Sequence, residues 1–178
     1  TADKIISLLA SRHSGDVFVP ECKNGPTQTA NAQMVRMDAW TMKKSYSTPL
    51  VTGYEVKVSR NDFLRDEKWH RYLDYCNEFY FVCPPGLIAM DELPPEAGLI
   101  YTSKNGRKLY TKKKAQRRDV QIPESVFRYV LMSRSKIDAE NNGFGPYDPI
   151  VFWKKWIEER DEKKGGKILV SIPIEVVG

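Results

Sequence analysis

The sequence predicts an α/β fold, a mixed sheet flanked by helices, and three observations lead there. Residues 50–59 read as a strand. Residues 61–78 change to helical spacing, with Trp69, Tyr72, Leu73 and Cys76 at i, i+3, i+4 and i+7. Phe79–Cys83 is a continuous apolar run closed by Pro84-Pro85-Gly86, the mark of a buried strand. Strand, helix and buried strand in that order form a crossover unit, which makes parallel pairs.

The elements follow in chain order. Ile5, Ile6, Leu8 and Leu9 recur at helical intervals and predict a short amphipathic helix ending near Ser14-Gly15. Residues 16–22 alternate Val17, Val19 and Glu21 against Phe18, Pro20 and Cys22, with Pro20 marking an edge or a bulge. Residues 23–33 are polar and contain Gly25-Pro26, a loop. Residues 34–42 alternate again, placing Met34, Arg36, Asp38 and Trp40 on one face and Val35, Met37, Ala39 and Thr41 on the other.

After the turn at 43–49, residues 50–59 are the antiparallel neighbour of that strand, about 4.8 Å away. Ser59 or Asn61 would cap the following helix, with Asp62 completing a capping box on Ser59. Segments 99–102 and 108–111 flank Asn105-Gly106, a hairpin signal. A helix over 123–136 presents Val126, Phe127, Val130 and Leu131. Asp148 and Pro149 then open a helix to about residue 164, and 167–177 is a last strand. The chain therefore divides into a core over 1–136 and a C-terminal extension over 137–178 packed on it.

With 178 residues, 41% of them hydrophobic, the chain is long enough for one domain with a real core. No apolar run is long enough to span a bilayer, and residues 1–13 lack the uncharged centre of a signal peptide, so the expected setting is the cytoplasm with no membrane partner. Cys22, Cys76 and Cys83 are an odd number without close pairing, which argues against a disulfide framework or a zinc knuckle and for buried apolar fillers. A net charge of +5 suits a polyanionic partner without requiring one. The run Lys112, Lys113, Lys114, Arg117 and Arg118 fits a solubilising surface and phosphate contact equally well.

The chemistry centres on Glu55 and Lys57. In a strand they share a face, roughly 7 Å apart along the backbone. Alone, such a pair is usually the polar face of a half-buried strand. Asp38 on the neighbouring strand changes the reading, because two carboxylates about 4 Å apart repel by about 4 kcal/mol at an effective dielectric near 20. A cation must offset that repulsion: Lys57, or a hard divalent ion that accepts one or two protein carboxylates and fills its shell with water and phosphate oxygens.

Asp38, then Glu55-Val56-Lys57 on the next strand, then a helix and a buried strand, resembles the PD-(D/E)XK nuclease superfamily. The long run from Tyr54 through Trp69, with Tyr72, the run Cys76–Val82 and Gly98-Leu99-Ile100, resembles its MmcB-like, DNA-repair-related branch over about residues 1–135. Met37 stands where the superfamily motif carries proline.

The resemblance implies a restriction-endonuclease-like core and a Mg2+- or Mn2+-dependent deoxyribonuclease acting in DNA repair, processing or restriction. Asp38, Glu55 and the backbone carbonyl of Val56 would hold the metal, Lys57 would position the attacking water, and Glu21 matches an upstream acid that could hold a second ion. Arg36 and Arg60 join the basic run as candidate nucleic-acid contacts, although an ion pair to Asp38 or Glu55 accounts for Arg36 equally well. Two further readings stand beside this one. The first is a non-catalytic nucleic-acid-binding module of the same fold; the second is a protein that assembles, as a homo-oligomer, through the tail bearing Trp153 and Trp156.

Overall fold

The alternating stretches assemble into one six-stranded mixed sheet in a computed structural model that describes residues 1–25 and 34–134. The strands are β1 (Val17–Lys23), β2 (Arg36–Met42), β3 (Val51–Val56), β4 (Glu78–Cys83), β5 (Ala97–Thr102) and β6 (Leu109–Lys113), and they lie in the sheet in chain order. β1, β2 and β3 pair antiparallel, β3–β4–β5 pair parallel, and β5–β6 close as an antiparallel hairpin. The crossover unit and the Asn105-Gly106 hairpin are both present, with Gly106 at φ 62, a conformation that glycine adopts without strain. The helix and strand expected after residue 140, and the extension itself, lie outside the described residues.

Each face of the sheet is covered. Helix α1 (Ala2–Arg12) lays Ile5 and Leu9 on Ala39, Tyr54, Val56, Tyr80, Val82 and Ile100. Helix α3 (Glu124–Arg134) and a 3-10 segment (Trp69–Tyr75) cover the other face, over Trp40, Phe79, Phe81 and Leu99. Burying each such large apolar side chain stabilises the fold by roughly 1.5–3 kcal/mol. Cys22, Cys76 and Cys83 are free and buried, as fillers should be. No helix among the described residues is long and apolar enough to cross a membrane.

Two expectations are corrected. Residues 61–78 do not form one helix. A short helix α2 (Arg60–Leu64) ends at Arg65, and the 3-10 segment begins only after Lys68. Asp66 supplies the reason: its Oδ1 accepts the Lys68 N–H at 2.9 Å while its carboxylate turns inward, which interrupts the helical ladder. Trp69 and Tyr72 remain buried, because i and i+3 eclipse in a 3-10 turn and the apolar stripe survives the change of helix type. Ser59 is the N-cap of α2 but makes no side-chain cap bond, and Asp62 leans towards Lys57 instead of closing a capping box.

The second correction concerns alternation in β1 and β2. Met37 and Trp40, three residues apart, enter the same core, as do Val19 and Cys22. The inversion falls at Glu21, whose φ of 48 makes it the one non-glycine residue with positive φ among those described. Pairing runs from Pro20↔Ala39 directly to Cys22↔Met37 and skips Glu21 and Asp38. Backbone in that region is costly for a residue with a Cβ, and it persists only where the surroundings impose it.

Candidate active site

Glu55 and Lys57 sit at the end of β3, where both neighbouring strands fix the backbone. The ladder to β4 continues one step beyond the strand, with the Lys57 N–H donating to Val82 O at 2.9 Å. On the other side the last β2–β3 pair is Ala39↔Tyr54, so Asp38 and Glu55 occupy the next position across the ladder. Regular pairing stops there because the Asp38 side chain takes the strand's place: its Oδ2 accepts the Val56 N–H at 2.7 Å. In an extended residue the N–H and C=O point to the same side, so the Val56 carbonyl also faces Asp38.

Glu55 and Lys57 share a face as their spacing requires, with Lys57 Nζ 3.1 Å from Glu55 Oε1. Both are buried. Two further acids converge on the same ammonium. Asp66 Oδ2 lies 2.6 Å from Nζ with its side chain 8% exposed, and the more exposed Asp62 lies at 3.7 Å. The second oxygen of Glu55, Oε2, is buried and has no hydrogen-bond partner among the described residues. The Tyr72 hydroxyl interacts with this carboxylate as well.

Burial works against charge throughout the cluster. It pushes the Glu55 carboxyl up to about 8, with the Asp38 charge adding to the rise and Lys57 opposing it. Asp38 is raised, chiefly by burial, while the Val56 N–H bond and Lys57 pull it down. Burial pulls Lys57 down, but the Asp66 and Glu55 carboxylates outweigh it, so its pKa is raised and it stays an ammonium. Burial, then Glu55, Asp66 and Asp38, raises the Tyr72 hydroxyl.

These groups line a cavity of about 380 Å3. Its walls are Met34, Val35, Arg36 and Asp38 from the start of β2, and Asp62, Arg65, Asp66, Lys68, Arg71 and Tyr72 from the crossover. Arg36 belongs to the cavity but pairs with Glu21 at 3.7 Å. Glu21 is largely exposed and is not part of the cavity lining. Among the described residues no three His, Cys, Asp or Glu side chains form a ready-made metal shell.

The other residues singled out in the sequence take varied places. Arg60 forks onto the Glu92 carboxylate and donates to Leu87 O at 3.0 Å, tying down the loop after β4. Lys113 donates to the carbonyls of Leu93 and Pro94, and Arg118 to those of Leu73 and Cys76, both at 2.7 Å. Lys112 lies over the Tyr101 ring, while Lys114 and Arg117 are exposed. The basic run is thus partly a set of internal braces.

Sequence reasoning missed Asp66, Arg65, Lys68 and Arg71. A signal for each was present. Asp66 falls three residues before Trp69, on the apolar stripe itself, where a charge needs a buried partner. Arg65, Lys68 and Arg71 recur every three residues.

Fold and site together define an α/β protein whose mixed sheet carries a buried carboxylate–lysine cluster lining a cavity of mixed charge. The family of DNA repair protein MmcB-like sequences matches residues 31–134, and the chain belongs to that family. A protein of unknown function from Silicibacter pomeroyi has a similar structure, with a TM-score of 0.53 and 16% identity over 95% of this chain and 94% of that one. At that identity the likeness speaks for the fold alone. No curated protein matches the chain.

Proposed function

We propose that this protein is a metal-dependent nuclease that hydrolyses phosphodiester bonds in DNA, in a repair setting, on a restriction-endonuclease-like core. The observation that carries the reading is the pairing of Asp38 and Glu55 at the open end of β3, with Glu55 Oε2 buried and unpartnered beside an ammonium. A buried carboxylate oxygen without a donor is costly unless something occupies it.

The residues fit a hard divalent cation. Asp38, Glu55 and the Val56 carbonyl are oxygen donors, which suit Mg2+ or Mn2+, and two carboxylates are the usual protein share of a magnesium site. When bound, the ion would polarise the phosphate and make a water acidic. The chain's own groups do the rest. Lys57, held charged by Glu55 and Asp66, donates a hydrogen bond that orients the attacking water and offsets negative charge developing on the phosphate. Asp66 keeps the lysine in place, and Arg36 lies within reach of a phosphate at the rim. Membership of a DNA repair family supports DNA as the substrate.

Incubation of labelled DNA with the protein and Mg2+ or Mn2+ tests this reading. Cleavage should require the metal and should disappear in Asp38→Ala and Lys57→Ala. Binding without cleavage in the wild type favours a non-catalytic binding module, and equal cleavage in both variants contradicts the assignment.

A further inference from the structure

Every carboxylate that lines the cavity has an engagement, and three of its cations do not. Glu55, Asp62 and Asp66 lie on Lys57, and Asp38 holds the Val56 N–H. Arg36 faces Glu21. The side chains of Arg65, Lys68 and Arg71 are exposed on the cavity wall, and none makes an ion pair or hydrogen bond among the described residues. Arg60 and Arg118 serve as internal braces, whereas Arg65, Lys68 and Arg71 gather without such partners on one wall of a single cavity.

Their spacing is set by the backbone. Arg65 ends α2 and Lys68 precedes the 3-10 segment, whose first bond runs from Arg71 N–H to Lys68 O at 3.0 Å. In 3-10 geometry i and i+3 eclipse and are separated by about 6 Å along the axis, so Lys68 and Arg71 stack on the same side. That step suits successive phosphates of a nucleic-acid strand. Asp66 fixes this row relative to the chemistry, since one of its oxygens accepts the Lys68 N–H and the other meets Lys57.

We infer that Arg65, Lys68 and Arg71 form a backbone guide that seats consecutive phosphates of one DNA strand and leads it to Asp38 and Glu55. This rests on the reading of the cavity as a nucleic-acid site. Such contacts position a strand without reading its sequence, so the guide predicts binding indifferent to base order.

The test measures binding of a fluorescein-labelled random-sequence DNA duplex across a salt series, in EDTA so that nothing is cleaved. For Arg65→Ala/Lys68→Ala/Arg71→Ala the slope of log K against log salt should fall by roughly 0.9 per cation removed, and affinity by roughly tenfold or more near 0.1 M salt. Each single alanine variant should show about a third of the change in slope. Arg65→Lys/Lys68→Arg/Arg71→Lys should keep the wild-type slope, because attraction to phosphate needs only the charge; its loss would overturn the guide. So would a triple alanine variant with wild-type slope and affinity, or the whole effect appearing in Lys112→Ala/Lys114→Ala/Arg117→Ala. A wild type that binds through these three cations yet never cleaves contradicts the hydrolase reading and leaves the guide standing. A cleaving wild type whose triple alanine variant binds unchanged contradicts the guide alone.

Discussion

Asp66 Oδ2 lies 2.6 Å from Lys57 Nζ, and the same carboxylate accepts the Lys68 N–H through Oδ1. One short acidic side chain thereby couples the lysine at the end of β3 to the crossover wall facing it. Removing one partner of a buried ion pair costs about 3–5 kcal/mol, because the other charge is left without compensation. Glu55 and Asp62 still face Lys57, so Asp66→Ala should lose about 3 kcal/mol in urea unfolding, and Asp66→Asn, which keeps an acceptor for Lys68, should lose less.

Arg118 and Arg117 are adjacent but should behave differently. The Arg118 guanidinium bonds the Leu73 and Cys76 carbonyls at the end of the 3-10 segment. Hydrogen bonds from a charged donor are worth about 1.5–3 kcal/mol, so Arg118→Ala should destabilise by about 2 kcal/mol or more. Arg118→Lys should rescue little, since lysine lacks the fork that reaches both carbonyls. Arg117→Ala should stay within about 0.5 kcal/mol of wild type in the same unfolding series.

Gly98 is a matter of room. A Cβ there would lie 2.3 Å from Tyr80 Cε1 and 2.7 Å from the Ala115 backbone nitrogen. At Gly53 the nearest atoms are the Met37 and Cys76 sulfurs, at 3.0 and 3.1 Å. A flexible methionine can yield where a ring and a backbone cannot. Gly98→Ala should therefore cost at least the 1–3 kcal/mol typical of overpacking, and clearly more than Gly53→Ala, by thermal or urea unfolding.

Much of this fold is legible in the sequence because the apolar spacing that identifies an element also decides which face it buries. The alternation of residues 50–56 and the apolar run 79–83 set β3 and β4 side by side, and Asn105-Gly106 announced the hairpin. The inversion at Glu21 and Asp38 was not legible, because it arises from a left-handed backbone residue that alternation alone does not register. The break at Asp66 was hidden for a related reason: the pull of Lys57 overrides a local preference for continuous helix, and that pull exists only once β3 and the crossover are packed together. Glu55 and Lys57 could be paired from their spacing, and Asp38 joined them through the neighbouring strand and the resemblance, while the long turn between the strands left the register to the fold. Their third acidic partner required the fold.

Glu55 links stability to pH. Its folded-state pKa of about 8 lies above the ordinary 4.5, so the folded protein binds the proton more tightly than the unfolded chain. That contribution is fully present below about pH 4.5 and is lost as pH rises through about 8. A divalent cation competes with the same proton, so the rise in melting temperature on adding Mn2+ should be larger at pH 8 than at pH 6. Glu55→Gln should flatten both dependences in thermal unfolding with and without the metal.

Asp38 and Glu55 should converge on one divalent ion. Anomalous diffraction from crystals grown with Mn2+ tests it most directly. Wild-type crystals should show a manganese peak bonded to oxygens of Asp38, Glu55 and the Val56 carbonyl, and Glu55→Gln crystals should show none. Wild-type crystals with no manganese between these carboxylates at saturating metal, or an equal peak in the variant, would contradict it.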